Sequence, residues 1–417
     1  MILLPPQSNL KGNELKDFIQ KDIVNYLAKL DNLILEAGTG FGKTNTALQA
    51  INRIRKHNNE PVVILVPTDI LKQQWLSKIN HDNVFVYVIK SYTNVEKEDI
   101  IRNGYLLIVD EAHRILNQNS QYFSLAIDLS DFKFNLFLSA TLENNHKKFL
   151  HSRGFNNYYE ISLNYLYNNG LVPDFININL AVQFTEDEKL QVVNVQEKID
   201  KWLPFMKMIG VNNVFEEINL ENQCFLYGED YNKIKRMYWG LRACYTKRNG
   251  IYKNAINKFD VVKTILEHLI DEKVLVFCSN IDTVNDIVKL TPQGIGYHSK
   301  ITSKNRKEII NVFNNDYKKH LISVGSLIEG FDSIKPIRFG VRFSYDSTSL
   351  KGIQSLGRII RFDETNPDSK AYMFNLYVDD FVYNKNHVES IEKRWLLNNQ
   401  RDLINIINIE NMEEIEW

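Results

Sequence analysis

The chain has 417 residues, 44% of them hydrophobic and 24% charged, a composition that excludes global disorder and collagen-like repeats. Lys and Arg total 50 against 51 Asp and Glu, and the formal charge of −1 neither predicts nor excludes nucleic-acid binding, which depends on a local basic surface. Three widely spaced cysteines predict neither a disulfide framework nor a zinc cluster. The apolar start is broken by Pro5 and Pro6, and no apolar run reaches the roughly 20 residues that span a bilayer, so we expect a soluble, cytoplasmic protein without a membrane partner.

Short apolar runs alternate with amphipathic stretches in the first part of the chain. The runs are NLILEAG from Asn32, PVVILVPT from Pro61, VFVYVI from Val84, YLLIVDEAH from Tyr105 and FNLFLSAT from Phe134. Such runs, bounded by turn residues, are typical of strands that are buried on both faces of a parallel sheet. Because the stretches between them have helical periodicity, the pattern predicts repeated βαβ units and an α/β domain over residues 1–179.

The pattern changes after this domain and then returns. Residues 180–258 are polar and rich in lysine and aromatic side chains, which favours a mainly helical connecting or inserted subdomain. New apolar runs follow: KVLVFCSN from Lys273, GIGYHS from Gly294, KHLISVGS from Lys319, RFGVRFS from Arg338 and AYMFNLY from Ala371. They predict a second α/β domain over residues 259–387, and the tail, 388–417, is expected to be helical.

A glycine-rich turn follows the first predicted strand. It has the sequence AGTGFGKT, from Ala37 to Thr44, and a helical pattern begins directly after it. A triphosphate needs inward-pointing backbone N–H groups, which a glycine turn supplies without Cβ clashes, and the positive end of a helix behind the turn. Lys43 is placed to reach the β and γ phosphates, and the hydroxyl of Thr44 is placed to ligate Mg²⁺. The strand and helix on either side favour this interpretation over a plain glycine loop. We expect the triphosphate to be bound by Gly38, Thr39, Gly40, Gly42, Lys43 and Thr44.

Two carboxylates follow the strand LLIV that begins at Leu106. Mg²⁺ prefers oxygen ligands, so a carboxylate at the tip of a neighbouring strand is the second requirement of a nucleotide site. Asp110 is predicted to hold the metal, and Glu111 is predicted to orient and polarise the attacking water. A solvated turn is the alternative, and the presence of Lys43 disfavours it.

Three motifs of the first half together resemble a known family. They are the AGTGFGKT turn, Asp-Glu-Ala-His from Asp110 to His113, and Ser139-Ala140-Thr141, and they are similar to the first motor domain of superfamily 2 helicases and translocases of the DEAH-type DNA group. In the second half, QSLGRIIR from Gln354 resembles the family's Gln-x-x-Gly-Arg-x-x-Arg motif, SLIEGFD from Ser326 resembles motif V, and Lys273 to Asn280 resembles the strand before motif IV. A weaker resemblance, carried by Asp379-Asp380 and by HVESIEKR from His387, is to the end of compact phage-type and repair-type DNA helicases, and the motor as a whole is also similar to restriction motors.

The resemblance implies two RecA-like parallel-sheet domains in tandem that hydrolyse ATP with Mg²⁺ between them and act on DNA in a bacterial or phage-infected cell. It also implies roles for individual residues. Gln354, Arg358 and Arg361 complete catalysis, with the arginines as fingers; Gln20 reads adenine, and Gly330 and Asp332 also contact the nucleotide. His113, Ser139 and Thr141 couple the nucleotide site to the nucleic-acid groove. The implied nucleic-acid contacts are Pro67, Thr68, Ser91, Thr93, Ser279, His298 and Ser326, for which helix capping is the ordinary alternative.

Several hypotheses remain open at this stage. The first is an ATP-dependent DNA helicase that moves on single-stranded or branched DNA. The alternatives are a double-strand DNA translocase, an RNA helicase, or a nucleotide-gated binding subunit that needs a protein partner.

The stretch from Tyr231 to Lys258 interleaves basic and aromatic residues. It fits either a nucleic-acid surface or an amphipathic helix with buried rings and solvated charges.

Overall fold

The structure is a computed structural model. It describes the chain except residues 56–58, 90–103, 115–131, 143, 216–217, 325–334, 346–349, 361–365, 367–368, 381–389, 401–402, 404, 410–414 and 416–417, and except the side chains of residues 303, 350–354 and 399.

The predicted apolar runs of the first half form strands of one all-parallel sheet. Its strands are β1 (Ile2–Leu3), β2 (Asn32–Ala37), β3 (Val62–Val66), β4 (Val84–Val88), β5 (Leu106–Val109), β6 (Phe134–Ser139) and β7 (Tyr158–Ile161), and they lie in the order β1-β7-β2-β6-β5-β3-β4. The helices described with this sheet are α1 (Gly12–Leu30), α2 (Lys43–Ile54), α3 (Asp69–Leu76), α4 (Asn144–Ser152) and α5 (Leu163–Asn168). Strands β2, β3, β5 and β6 are almost wholly buried, as expected for a sheet covered on both faces.

In the described part of the chain, the second sheet is also all-parallel and has seven strands. They are β8 (Phe175–Val182), β9 (Val274–Cys278), β10 (Gly294–Tyr297), β11 (His320–Val324), β12 (Phe339–Arg342), β13 (Ala371–Val378) and β14 (Ile406–Ile409), in the order β10-β11-β9-β12-β13-β8-β14. Its helices are α9 (Asn257–His268), α10 (Ile281–Leu290), α11 (Ser303–Asn314), α12 (Leu350–Ile359) and α13 (Ile391–Asn399). The two sheets confirm the predicted fold class of two tandem RecA-like domains.

A helical segment, residues 186–253, is inserted between β8 and α9 of the second domain. It consists of α6 (Glu186–Met208), α7 (Leu220–Tyr227) and α8 (Tyr231–Lys253). These helices enclose a core of their own that includes Val195, Ile199, Cys224, Ile234 and Leu241. The close approach of α6 and α8 depends on Gly240, since a Cβ built there lies 2.8 Å from the ring of Trp202.

Two domain limits differ in detail from the sequence expectation. The boundary predicted between residues 179 and 180 falls inside β8, which pairs with β13 and β14 of the second sheet. The tail predicted as helical contains α13, but it also supplies β14 at the sheet edge. Among the described residues, no helix is both long and apolar enough to cross a bilayer.

Candidate nucleotide site between the two domains

The glycine turn lies between β2 and α2, as the sequence predicts. Gly40 and Gly42 have φ values of +90° and +91°, a left-handed conformation that L side chains rarely adopt, so glycine is required at both positions. Helix α2 begins at Lys43, directly after Gly42. The first backbone N–H groups of a helix have no intrahelical acceptor and carry the positive end of its dipole. The turn therefore provides an anion site of the kind that binds phosphate.

Lys43 is folded back on this turn. Its Nζ donates to the carbonyl oxygen of Ala37 at 2.9 Å. Burial lowers the pKa of Lys43, the nearby carboxylates Glu111 and Asp110 oppose that shift, and the charge of Arg358 adds to it. Lys43 thus lies within electrostatic reach of the two acidic residues that follow β5 and of an arginine from the second domain.

Asp110 follows β5 and is almost completely buried. Its Oδ2 accepts the indole N–H of Trp75 at 3.1 Å, and its Oδ1 accepts the backbone N–H of Glu111 at 3.0 Å. Burial, followed by the charge of Glu111, raises the pKa of Asp110 to about 6, against the pull of Trp75 and Lys43. A buried carboxylate that is repelled by a neighbouring carboxylate is well suited to bind a hard cation. Together with the hydroxyl of the half-buried Thr44, Asp110 offers the oxygen donors that Mg²⁺ prefers.

The next residues link this carboxylate to the end of β6. Glu111 has φ +50°, a conformation uncommon outside glycine, and its Oε2 lies 3.5 Å from Nδ1 of His113. The same Nδ1 lies 3.3 Å from Oγ of Ser139, whose hydroxyl donates to the carbonyl oxygen of Thr141 at 2.7 Å. Because that hydroxyl proton is already used, the contact requires His113 to donate from Nδ1. The structure therefore brings the three predicted coupling residues together beside Glu111.

Gln20 is fully buried under the turn. Its side-chain oxygen accepts from Asn45 at 3.1 Å and from Gln49 at 2.8 Å, and its amide nitrogen donates to the carbonyls of Phe41 and Gly42, each at 3.4 Å. Reading adenine, the role implied by resemblance, would require these contacts to be exchanged. One helical turn earlier, Nζ of Lys16 donates to the carbonyl of Gly40 at 3.1 Å, a contact that the sequence motifs did not reveal.

Helix α12 of the second domain packs directly on the glycine turn. A Cβ built on Gly357 would lie 2.0 Å from Oγ1 of Thr39, so only glycine fits at this contact. On the other side, the carbonyl oxygen of Ile360 lies 3.3 Å from a Cβ built on Gly40. The charge of Arg358, next to Gly357, lowers the pKa of Lys43. The two domains thus meet at the nucleotide turn.

Comparison with known proteins agrees with this geometry. Residues 257–363 match the family of the helicase conserved C-terminal domain, and residues 13–85 match the family of the type III restriction enzyme res subunit. These two matches, together with the two-domain fold, support a superfamily 2 helicase. Its helicase domains indicate a nucleic-acid-dependent ATPase. No protein with a curated description matches the sequence.

Similar solved structures share the two-domain fold. S. cerevisiae Dbp5 bound to RNA and ADP BeF3 is 14% identical with a TM-score of 0.62, over 94% of this chain and 89% of that chain. A Dbp5 variant in the same bound state gives 15% and 0.61 over the same shares. The Hef helicase domain of Pyrococcus furiosus is 16% identical with a TM-score of 0.50, over 89% of this chain and 98% of that chain. At these identities the likeness concerns the fold.

Several predicted nucleic-acid contacts of this helicase lie at the carboxyl edges of its sheets. Pro67 and Thr68 follow β3, Ser279 follows β9, and His298 follows β10. The hydroxyl of Thr68 also caps α3 by accepting the N–H of Leu71 at 3.4 Å, the ordinary role that the sequence left open. Ser91, Thr93, Ser326, Gly330, Asp332 and Arg361 lie outside the described residues, as does the side chain of Gln354.

Proposed function

We propose that this superfamily 2 helicase hydrolyses ATP between its two domains and uses the cycle to translocate on DNA and to unwind or remodel it. The observation that carries the proposal is the contact of Gly357 with Thr39, and the charge of the neighbouring Arg358 lowers the pKa of Lys43. A triphosphate on the glycine turn would thus face an arginine from the other domain. An arginine that neutralises the charge developing on the γ phosphate raises phosphoryl-transfer rates by about 10³- to 10⁵-fold in related systems.

The residues of the turn and those directly after β5 have the binding and catalytic roles. Backbone N–H groups from Gly38 to Thr44 hold the phosphates, Lys43 exchanges the carbonyl of Ala37 for phosphate oxygens, and Glu111 orients the attacking water. Thr44 and Asp110 would hold Mg²⁺, which when bound neutralises charge on the phosphates. The burial of Asp110, which raises the pKa of its carboxyl group, supports this assignment.

The second domain completes the proposed site. Arg358 and Arg361 act on the γ phosphate, with Gln354 on the same motif and with Gly330 and Asp332 as further nucleotide contacts. Loss of the γ phosphate after hydrolysis would remove the attraction between α12 and the turn and let the cleft relax. His113 would respond to that change, because its Nδ1 lies 3.5 Å from Oε2 of Glu111 and 3.3 Å from Oγ of Ser139. Ser139 and Thr141 would then transmit the relaxation of the cleft to the strand ends that contact DNA.

DNA is proposed to lie across the carboxyl edges of both sheets, near Pro67, Thr68, Ser279 and His298, with Ser91, Thr93 and Ser326 as further contacts. Hydroxyl and backbone groups suit phosphate oxygens and give no base specificity. RNA is the second candidate, because a structure of Dbp5, a protein with the same fold, is bound to RNA.

The test is ATP hydrolysis with single-stranded DNA, duplex DNA or RNA, alongside displacement of a labelled strand. We expect single-stranded DNA to stimulate hydrolysis and a forked duplex to be unwound. Stimulation by duplex DNA without unwinding would indicate a double-strand translocase instead. Stimulation by RNA alone would indicate an RNA helicase. Nucleic-acid binding without ATP turnover would indicate a nucleotide-gated binding subunit.

Two variants test the shared site. Lys43→Ala should abolish hydrolysis and strongly weaken nucleotide binding, whereas Arg361→Ala should abolish hydrolysis with binding largely kept. Lys289→Ala, at an exposed position of α10, is the matched control. Normal hydrolysis by the Arg361 variant would remove that residue from the mechanism.

A further inference from the structure

Helix α8 carries an unusual charge pattern. Between Tyr231 and Lys253 it has seven basic residues and no aspartate or glutamate. Among the described residues, no carboxylate lies within ion-pair distance of Lys235, Arg236, Arg242 or Lys247. A cationic surface that the chain itself does not neutralise suits a polyanion.

The structure separates the buried rings of α8 from the exposed ones. Ile234, Tyr238 and Leu241 face the core of the helical segment, and Tyr252 packs against Phe184 at the second domain. Trp239, by contrast, is 54% exposed. An amphipathic helix with all of its aromatic residues in the core, the ordinary interpretation of this stretch, does not account for an exposed tryptophan among lysines and arginines.

The exposed tryptophan belongs to a larger aromatic and cationic cluster. The guanidinium of Arg242 lies 5.3 Å from the ring centroid of Trp239 and 5.4 Å from that of Phe215. Phe215 is itself 48% exposed and meets Tyr245 edge-on at 6.0 Å. Rings held in place by an arginine lose little freedom when a base stacks on them.

Helical spacing aligns these groups on one side of α8. Lys235, Trp239, Arg242 and Thr246 succeed one another at intervals of four, three and four residues, and Lys247 lies next to them. We name Lys235, Arg236, Trp239, Arg242 and Lys247, together with Phe215, the basic face. Trp239 lies 13 residues before Tyr252, about 20 Å along the helix, so the basic face extends away from the second domain.

We propose that the basic face binds single-stranded DNA outside the cleft between the two domains. An exposed ring can stack only on a base whose face is not covered by a neighbour, which favours a single strand over a duplex, while the cations contact its phosphates. The inference rests on the proposed function, which supplies DNA as the polymer. It adds a second contact surface on the helical segment to the edges of the two sheets.

The experiment measures binding of a labelled dT oligonucleotide to the full chain by fluorescence anisotropy. Trp239→Ala should weaken binding by roughly 5- to 150-fold, the range found for the loss of one stacked base, and Trp239→Phe should restore most of it. Phe225→Ala is the matched control, because Phe225 is 85% exposed on α7 and no cationic side chain of the described residues lies over its ring. Equal binding by wild type, Trp239→Ala and Phe225→Ala would overturn the proposal.

Charge is tested separately. Changing Lys235, Arg236 and Lys247 to Gln should reduce the slope of log affinity against log salt by about 2, at about 0.7 per lost single-strand contact. The control changes the exposed Lys198 and Lys201 of α6 to Gln, and its slope should not change. An unchanged slope in the triple variant would contradict the proposed phosphate contacts.

Further measurements distinguish a failure of this inference from a failure of the proposed function. If Trp239→Ala weakens the binding of duplex DNA as much as that of dT, the assignment to single-stranded DNA is wrong. It is also wrong if the variant weakens only the binding of an oligo(U) control. ATP hydrolysis without DNA should be unchanged in Trp239→Ala. If wild type binds no DNA and hydrolyses no ATP, the proposed function fails; if it does both while Trp239→Ala behaves as wild type, only the basic face is refuted.

Discussion

The indole N–H of Trp75 donates to Oδ2 of Asp110 at 3.1 Å, and both side chains are almost fully buried. Trp75 lies in the last turn of α3, and Thr68 caps the first turn of the same helix. A single short helix therefore joins a predicted DNA contact to the carboxylate that we assign to Mg²⁺. Movement of α3 when DNA binds would reach Asp110 directly.

Replacing Trp75 by Phe should impair hydrolysis. The ring is kept, but a buried carboxylate oxygen loses its donor, and a hydrogen bond to a charged group contributes about 1.5–3 kcal/mol. We expect kcat to fall by about 10-fold or more, and the acid limb of the pH profile to move to higher pH because this bond lowers the pKa of Asp110. Trp202→Phe in α6 is the control. A loss of activity without a shift of the acid limb would indicate a packing defect instead.

The raised pKa of Asp110 predicts competition between protons and Mg²⁺. The folded value of about 6 exceeds the value of about 3.9 for an unfolded aspartate, so the folded chain takes up a proton as pH falls through 6 and gains stability relative to neutral pH between about 6 and 4. A protonated Asp110 cannot ligate the metal. Hydrolysis at limiting Mg²⁺ should therefore fall below about pH 6 and recover when Mg²⁺ is raised. Titrations of Mg²⁺ at pH 5.5 and 7.5 measure this, and an acid loss that Mg²⁺ does not reverse would contradict it.

Gly357→Ala should separate the domains without unfolding either one. A Cβ at this position would lie 2.0 Å from Oγ1 and 2.1 Å from Cβ of Thr39, so α12 must move off the glycine turn. ATP hydrolysis should fall by more than 10-fold, and Thr39→Gly in the same chain should recover part of it. Gly250→Ala in α8 meets nothing within 4 Å and should leave hydrolysis unchanged. Normal activity of Gly357→Ala would show that this contact is not needed for catalysis.

Gln20 allows two roles to be told apart. Its contacts with Asn45, Gln49 and the turn indicate support of the phosphate loop, whereas the family resemblance implies adenine recognition. If support dominates, Gln20→Ala should weaken the binding of ATP and of GTP alike, by roughly 5- to 150-fold for the loss of 1–3 kcal/mol. Selective loss of ATP affinity would indicate adenine recognition. Competition binding of ATP and GTP to wild type and variant decides between them.

The sequence predicts most of the two sheets because strands buried on both faces are continuous apolar runs. It does not predict β8, which contains the polar residues Asn177 and Asn179. The structure explains the difference: Asn179 is buried and donates to Gln400 and Asn408, residues more than 220 positions away along the chain. Local hydrophobicity carries no information on such partners, so the predicted limit at residue 179 falls inside a strand of the second sheet.

The site shows the same division. Motifs predict Lys43, Asp110 and Arg358, because the chemistry fixes residue types at short spacing. They do not predict Trp75 or Lys16, whose contacts with Asp110 and Gly40 depend on how helices pack over the turn. Trp75 in sequence is indistinguishable from an ordinary apolar residue of an amphipathic helix.

The ion pair of Lys258 and Glu392 gives a prediction about stability. Both side chains are fully buried, and Nζ of Lys258 lies 2.6 Å from Oε1 of Glu392 while also donating to the carbonyls of Tyr252 and Phe343. Burial lowers the pKa of Lys258 and raises that of Glu392, so each charge depends on the other. The pair joins the end of α8, the end of β12 and the start of α13.

Removing one partner leaves an uncompensated buried charge, which costs roughly 3–5 kcal/mol. Glu392→Gln should lower the free energy of unfolding by about that amount, as measured by urea denaturation, and Lys258→Met with Glu392→Leu should recover much of it. Lys263→Met breaks only the exposed pair with Glu267 at 3.8 Å and should change stability by less than about 1 kcal/mol. A Glu392→Gln variant as stable as wild type would mean that water or rearranged backbone groups satisfy Lys258, and that this junction does not hold the tail to the second domain.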